Sequence, residues 1–320
     1  MSVFRPVAKR HQGYVSIRSL IELTFLRKQK ADENAGFLFL ATLANMSTFK
    51  NKVAVITGAG SGIGRELAYQ LAAKGAILAL NDWKGDDLAD TWSKLPDTSQ
   101  GIYEAFDVGD KASMEDFANR CKDELGRVDI VVNNAGMSVP QQPVVGSQIA
   151  DYEQVLRVNL YGVIYGSLAF LPGLRKTAGS LINVSSVFGL MGFPGSAPYN
   201  VSKFGVRGFT ETLRVEMQHT DLHVACVHPG GIRTNIARNV EIADPKERER
   251  FIKFFEKQAH TTAAEAAATI VRGIERRKKR ILIGKDAYLI DRITRLLPSS
   301  YEKILTRWFN GERFLAKYPS

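Results

Sequence analysis

The fold is decided between Val53 and Gly64, where the sequence reads Val-Ala-Val-Ile-Thr-Gly-Ala-Gly-Ser-Gly-Ile-Gly. Four apolar residues in a row are typical of a short buried strand, and from Ile63 onward apolar residues recur at helical spacing. Glycines between a strand and a helix let the backbone approach a pyrophosphate, whose charge the helix N-terminus holds. A glycine-rich turn also occurs for packing alone, and it is the place of this turn between a strand and a helix that favours a nucleotide site. The expected backbone contacts are Gly58, Ser61, Gly62, Ile63 and Gly64.

Asp82 follows the next apolar run, Ala76 to Leu80. An acid at this point can accept both hydroxyls of the adenine-side ribose and repel a 2′-phosphate. The glycine turn holds no basic residue before Arg65, and Lys84 is the one nearby cation. The sequence therefore favours NAD(H) and leaves NADP(H) open, and Asp82 could instead cap the following helix.

Tyr199 and Lys203 stand four residues apart at the start of a run with helical apolar spacing. Residues i and i+4 share one helix face, so the phenol and the ammonium are neighbours. Tyrosine has an unperturbed pKa of about 10, and a fixed positive charge nearby lowers it. Ser186 follows the apolar run Leu181 to Val184, where the end of a strand can present a hydroxyl to a substrate oxygen. The three side chains predict a general acid/base site in which Tyr199 carries the proton.

With Asn133-Asn134-Ala135-Gly136 between them, these motifs resemble the short-chain dehydrogenase/reductase family over roughly residues 50–284. The resemblance implies a single α/β domain with a doubly wound, Rossmann-type parallel sheet of about seven strands. It also implies NAD(P)-dependent interconversion of a secondary alcohol and a ketone or aldehyde. Lys203 would lower the pKa of Tyr199 and hold the nicotinamide ribose, while Ser186 would orient the reacting oxygen.

Asn159 lies inside a long apolar helical run, Tyr152 to Leu171, where an amide needs a reason. The family resemblance gives it a catalytic role, in which a backbone-bound water relays protons to Lys203. An amide satisfied by packing within the helix is the alternative.

The resemblance implies further cofactor contacts at the ends of the later strands. Asp107 would lie against the adenine, although with Gly109-Asp110 it could simply start the next helix. Small residues after the fourth strand let the backbone pass close to the cofactor, and an asparagine there can tie neighbouring strands together. The loop from His228 to Thr234 would cover the nicotinamide. The implied contacts are Asp107, Val108, Asn133, Ala135, Gly136, Tyr199, Lys203, Pro229, Gly230, Ile232 and Thr234.

The residues expected to surround the substrate are mostly apolar. A small charged substrate would lose its hydration there, so an apolar alcohol or ketone is expected. These side chains could instead pack on a lid formed by residues 235–260, or on a partner subunit. The predicted substrate contacts are Ser186, Phe188, Met191, Phe193 and Tyr199, with Leu190, Ile236, Phe251 and Phe254 extending the cleft.

The net charge of +10 over 320 residues is concentrated at the two ends of the chain. Residues 1–47 hold seven basic and three acidic residues, and residues 272–320 hold thirteen and five. The middle is close to neutral, which disfavours a nucleic-acid binder with a basic groove in its fold. We expect a basic, disordered leader (1–47), a catalytic domain (48–284) and an amphipathic basic tail (285–320). Met46 could be the true start, or the leader could be an anchor or targeting segment.

Two apolar stripes in the tail, flanked by basic residues, predict amphipathic helices. They would pack on their own fold or on a second subunit. Alternatively, they would make a peripheral contact with an anionic membrane and admit lipids, retinoids or sterols as substrates.

The remaining composition narrows the class of protein. Two cysteines exclude a disulfide framework and fit a reducing, cytoplasmic compartment. The histidines show no metal-ligand spacing, so we expect no metal. A small-molecule alcohol or carbonyl substrate and a homodimer or homotetramer are expected. A scaffold that has lost catalysis is disfavoured, because no catalytic position is degenerate.

Overall fold

The computed structural model of the protein describes residues 48–234, 240, 245–246, 248–249, 252–253 and 259–308. The leader 1–47 and the cleft residues Ile236, Phe251 and Phe254 lie outside the described residues. What the sequence predicts for them stays a prediction.

Within that part of the chain, seven parallel strands form one sheet in the order β3-β2-β1-β4-β5-β6-β9. Two short strands, β7 and β8, pair separately. The predicted doubly wound sheet of about seven strands is confirmed. The strands are β1 Val53–Thr57, β2 Ile77–Asp82, β3 Gly101–Ala105, β4 Ile130–Asn133, β5 Ser180–Val184, β6 His223–Pro229, β7 Ile232–Arg233, β8 Thr261–Thr262 and β9 Arg280–Ile283.

Helices cover both faces of the sheet. A π-helical turn, Arg157–Tyr161, joins α4 to α5, and a 3-10 turn, Val187–Gly189, precedes α6. The helices are α1 Gly62–Ala73, α2 Gly85–Ser93, α3 Lys111–Leu125, α4 Ile149–Leu156, α5 Gly162–Thr177, α6 Ala197–Glu216, α7 Ala263–Glu275, α8 Lys285–Leu296 and α9 Tyr301–Trp308.

The strands are apolar without interruption because both of their faces are buried. In β1, Ala54 and Ile56 join the core formed with α1 and α7, whereas Val53 and Val55 join the core formed with α3 and α5. Burying one such valine or isoleucine side chain stabilises the fold by about 1.5–3 kcal/mol. The two cores hold the sheet rigid, and the strands deliver their last residues to one edge.

That edge contains the point where the strand order reverses. Strand β1 has β2 on one side and β4 on the other, so the connections leave β1 and β4 in opposite directions. Ligands of open α/β sheets bind outside the carboxyl ends of the strands at such a point. The residues that follow β1, β4, β5 and β6 therefore form the candidate site.

The first helix of the tail packs on the fold itself. Ala287 and Ile290 of α8 are buried in a third apolar cluster with Val187, Leu190 and Met191. This is one of the arrangements predicted for the tail. On the outer side of the tail, Leu289, Leu296, Leu297 and Ile304 are exposed.

Among the described residues, one helical stretch, Ile149–Thr177, is long and apolar enough to cross a membrane. Val163, Phe170 and Leu174 of this stretch are buried beside the sheet. Length and composition alone do not separate a membrane span from a core helix, and these contacts are those of a core helix.

Candidate active site

The glycine turn folds tightly between β1 and α1. Gly58 and Gly62 have φ angles of +67° and +53°, which L side chains rarely adopt. A Cβ at Gly64 would lie 2.0 Å from the carbonyl oxygen of Gly58, so the helix starts directly against the turn. The first helical bond runs from the Arg65 N–H to the Ser61 carbonyl (3.2 Å), and the N–H groups before it point out of the helix end. This end can receive a pyrophosphate.

Two residues that the sequence did not single out hold this turn in place. The Asn134 side chain donates to the carbonyls of Thr57 (3.0 Å) and Gly58 (3.2 Å). The Thr57 hydroxyl accepts the N–H groups of Asn134 (3.0 Å) and Ala135 (3.1 Å). The available signal was a threonine at the end of one strand and a doubled asparagine after another.

Asn133 is the asparagine that ties neighbouring strands together, as the sequence indicated for this motif. Its amide donates to the Asn183 side chain (2.8 Å) and to the Ser167 hydroxyl (3.1 Å), and it is 2% exposed. The side chain thus links β4 to β5 and α5. A cofactor contact at Asn133 is left to its backbone.

Asp82 lies against the glycine turn at the end of β2. Its carboxylate accepts the N–H groups of Gly60 (2.8 Å) and Lys84 (3.0 Å), and a Cβ at Gly60 would come 2.8 Å from it. Helix α2 has Lys84 at its N-cap and no side-chain cap bond, so the alternative of Asp82 as its cap is wrong, and the ribose contact stays a prediction. The Lys84 ammonium lies 5.2 Å from the ring centroid of exposed Trp83.

Asp107 is engaged by protein groups on both oxygens. It accepts the Gly109 N–H (2.8 Å) and pairs with the Arg157 guanidinium (2.6 Å). Helix α3 is capped by Asp110 rather than by Asp107, so the alternative of Asp107 as the start of that helix is wrong. Buried Val108 packs on Gly162, and the adenine contact of Asp107 and Val108 stays a prediction.

The predicted catalytic side chains are brought together between β5 and α6. Tyr199 and Ser186 share a side-chain hydrogen bond. The Lys203 Nζ lies 5.6 Å from the centroid of the Tyr199 ring and donates to the Val184 carbonyl (3.0 Å). Lys203 is 3% exposed, so its ammonium is held inside the fold next to the phenol.

Burial controls the protonation of this pair. It raises the pKa of Tyr199 to about 12, opposed by the Ser186 hydrogen bond, although the residue as a whole is only partly buried. It lowers the pKa of Lys203 to about 8. The sequence predicted a lowered pKa for Tyr199, and the direction is the opposite because desolvation of the phenolate outweighs the Ser186 hydrogen bond. Near neutrality Tyr199 is therefore a protonated donor.

Asn159 lies in the π-helical turn and is fully buried. Its side chain accepts the Met137 N–H (2.8 Å) and donates to the Met137 carbonyl (2.9 Å) and the Ser202 hydroxyl (3.2 Å). Ser202 in turn donates to the Tyr199 carbonyl (2.7 Å), a link the sequence did not predict. The amide is thus satisfied by protein groups, and the water relay stays a prediction.

Gly136 separates Asn159 from the lysine. A Cβ there would lie 3.3 Å from the Asn159 Oδ1 and 3.5 Å from the Lys203 Nζ. A side chain at this exposed position would enter the space beside the catalytic pair, so the small residue keeps that space open.

The predicted substrate contacts divide into two groups. Phe188 stacks on Phe193 (4.7 Å between centroids) and meets the Tyr199 ring edge-on at 5.9 Å. Met191 is 0% exposed and lies in the apolar cluster with Ala287 and Ile290 of α8, and its substrate contact stays a prediction. Leu190 is buried in the same cluster. The sequence pattern after Ser186 does not distinguish an apolar side chain that faces a cleft from one that packs on a neighbouring helix.

The loop after β6 returns over the glycine turn. Pro229 ends β6, and Ile232 begins β7, which pairs with β8. The Thr234 methyl lies 3.2 Å from the place of a Cβ on Gly62. Ile232 is buried in the core, so a contact at this position falls to its backbone.

His228 has a structural role at the end of β6. It is fully buried, its Nδ1 lies 3.1 Å from the Ser186 carbonyl oxygen, and burial lowers its pKa to about 3. The neutral ring supports the backbone of the serine.

Comparison with known proteins agrees with this geometry. A family model described as short chain dehydrogenase matches residues 52–244. SadH of Mycobacterium tuberculosis (strain H37Rv), a protein assigned as an oxidoreductase, is 41% identical over 266 residues, covering 81% of this chain and 96% of SadH. The meso-2,3-butanediol dehydrogenase of Serratia marcescens is 34% identical over 219 residues, covering 68% of this chain and 83% of that enzyme.

A solved structure extends the match to the fold. A short-chain dehydrogenase/reductase from Burkholderia phymatum in complex with NAD superimposes with a TM-score of 0.71 at 27% identity, covering 77% of this chain and 94% of its own. The sheet order, the glycine turn and these matches support one conclusion. The chain belongs to the short-chain dehydrogenase/reductase family and is an NAD(P)-dependent oxidoreductase.

Proposed function

We propose that the protein interconverts a secondary alcohol and the corresponding ketone with NAD(H), using Ser186, Tyr199 and Lys203. The observation that carries this proposal is the hydrogen bond between Tyr199 and Ser186 beside the buried Lys203 ammonium. The hydroxyl groups of Ser186 and Tyr199 can both hydrogen-bond the substrate oxygen, and the Tyr199 phenol can exchange a proton with that oxygen. When bound, the nicotinamide supplies hydride transfer to or from the substrate carbon.

The protein's own groups would divide the work as follows. In the reducing direction Tyr199 donates its proton to the carbonyl oxygen, and the Lys203 charge stabilises the phenolate left behind. Ser186 donates to the same oxygen and fixes its position. In the oxidising direction the phenolate must first form, which burial opposes, so we expect alcohol oxidation to accelerate as the pH rises.

The residues of the glycine turn would hold the dinucleotide. The free N–H groups at the start of α1 would bind the pyrophosphate, and Asp82 would bind the adenine-side ribose. A 2′-phosphate would meet the Asp82 carboxylate, because Arg65 is already paired with Asp90 (3.1 Å). NAD(H) is therefore the proposed cofactor.

Asp82→Asn tests this preference. We expect the wild type to prefer NAD+ over NADP+ by at least about 100-fold in kcat/KM, because juxtaposing like charges costs several kcal/mol. The asparagine keeps one acceptor oxygen for Gly60 or Lys84 but loses the charge, so the preference should fall at least about tenfold. An unchanged preference, with an unchanged urea midpoint, would mean that Asp82 only holds the turn.

The rings of Phe188 and Phe193 lie beside Tyr199 and favour an apolar substrate. We expect kcat/KM to rise along a series of secondary alcohols by up to about fourfold per methylene, because burying one CH2 stabilises by about 0.8 kcal/mol. NADH production reports the rates, and Phe188→Ala should flatten the trend. The Serratia relative is named for a compact diol. Highest activity on 2,3-butanediol would therefore defeat the apolar-substrate proposal, and no NADH with any alcohol would defeat the enzymatic one.

The membrane-surface alternative stays a prediction. Leu289, Leu296, Leu297 and Ile304 are exposed on the outer side of the tail, with Arg295 exposed beside them. Such a surface suits either an anionic membrane or a second subunit. Homodimer or homotetramer formation and a cytoplasmic location likewise stay predictions.

A further inference from the structure

Asp286 connects the tail to the loop over the cofactor site. It lies in the first turn of α8, two residues beyond Gly284, and its Oδ2 accepts the N–H of Gly231 at 2.7 Å. Gly231 belongs to the loop from Pro229 to Thr234. The first helix after the family's minimal body therefore reaches back into the candidate site.

Glycines lie on both sides of the Asp286 carboxylate: Gly230 follows β6 and Gly284 follows β9. A Cβ at Gly230 would lie 2.1 Å from Oδ2, and a Cβ at Gly284 would lie 2.3 Å from Oδ1. Such distances exclude any side chain larger than hydrogen at either position while Asp286 is in place. Gly284 also has a φ of +93°. The two glycine positions thus form a notch that fits the aspartate.

The other end of this contact is fixed as well. Ala287 and Ile290, one residue and one turn further along α8, are buried against the segment after Ser186. At the far side of the loop, β7 pairs with β8, and Thr234 lies against Gly62 of the glycine turn. The near side of the loop, next to Pro229, is held by the hydrogen bond from the Gly231 N–H to the Asp286 carboxylate.

We propose that Asp286 is a positioning residue that holds the Pro229–Thr234 loop in the conformation that receives the nicotinamide half of the cofactor. The proposal rests on the proposed function, since it assumes a dinucleotide lying across α1 and this loop. A hydrogen bond to an ionised acceptor is among the stronger protein hydrogen bonds, and without it this end of the loop would depend on weaker backbone bonds such as that from the Gly230 N–H to the Ile283 carbonyl (2.9 Å).

Binding of NADH and of ADP-ribose to Asp286→Ala tests the proposal without measuring turnover. ADP-ribose has the adenine half, the pyrophosphate and the second ribose but no nicotinamide ring. We expect the Kd for NADH to rise about tenfold and the Kd for ADP-ribose to change less than about twofold. Asp286→Asn is the matched control, because its amide oxygen still accepts the Gly231 N–H, and it should bind NADH nearly as the wild type does.

Each contrary result has its own meaning. Equal weakening of both ligands in Asp286→Ala would indicate a general loss of structure and overturn the proposal, as would unchanged NADH binding. An asparagine as damaging as alanine would overturn the hydrogen bond as the cause. Failure of the wild type to bind either ligand would instead refute the proposed function on which the inference rests.

Discussion

Tyr199→Phe is expected to lower kcat by at least about 100-fold, because it removes the phenol that would carry the proton beside the Ser186 hydroxyl. The phenylalanine keeps the ring that packs edge-on against Phe188, so the Kd for NADH should change less than about twofold. Steady-state rates and calorimetric binding on the same preparations measure both effects.

Tyr152→Phe is the matched control for this experiment. Its hydroxyl lies 3.3 Å from the Ser147 hydroxyl, outside the catalytic group, so the same loss of an oxygen should leave kcat within about twofold. Near-normal turnover in Tyr199→Phe would refute the mechanism. A large loss in both variants would show that the assay responds to any lost hydroxyl.

Lys203→Met should lower kcat about as much as Tyr199→Phe does, and yet it should stabilise the protein at pH 7. Burial lowers the pKa of Lys203 from 10.5 to about 8, so the folded chain carries a penalty for the buried ammonium below pH 8. One pKa unit corresponds to about 1.4 kcal/mol, which makes the penalty on the order of 3 kcal/mol. Losing the hydrogen bond to the Val184 carbonyl offsets about 1–2 kcal/mol of the gain.

The pH dependence identifies the cause. Between about pH 8 and 10.5 the unfolded wild-type chain binds a proton that the folded chain has released, so wild-type stability rises with pH across this window. Methionine has no proton to exchange, and the advantage of the variant should shrink and then reverse by about pH 10. Urea denaturation of both proteins from pH 6 to 10 measures the difference.

Comparing the two proteins separates Lys203 from the cysteines. Burial raises the pKa of Cys121 and of Cys226 to about 12, and their effect on stability runs in the opposite direction above pH 9. Both thiols are present in wild type and variant, so they cancel in the difference to first order. A constant difference across the whole pH range would show that Lys203 is not buried in its charged form.

The sequence predicts well those features that depend on the chain's own order. The runs around Val53 and Leu181 are recognisable as strands because both faces of a parallel sheet are buried. Strands in such a sheet are therefore continuous apolar runs. The spacing of Tyr199 and Lys203 sets their proximity because an i and i+4 pair on a helix meets in any fold.

Features that depend on tertiary placement escaped prediction. The hydrogen bonds of Asn134 and Asp286 join segments 76 and 55 residues apart, and nothing local marks them. Met191 is as apolar as a cleft residue would be, and only the position of α8 shows that it belongs to the core. The direction of the Tyr199 pKa depends on how much protein surrounds the phenol, which spacing does not report.

The π-helical turn at Arg157–Tyr161 has a consequence for changes of chain length. It accommodates one residue more than a regular helix would between α4 and α5, and Asn159 is held at that point. Deleting a single residue there would remove that extra residue and restore α-helical geometry, while α4 and α5 keep their phase relative to each other. Point substitutions on the exposed side of this turn leave the widened turn in place, whereas a one-residue deletion closes it and moves Asn159 away from Ser202 and Met137. At this place the position of the Asn159 side chain depends on the number of residues as much as on their identity.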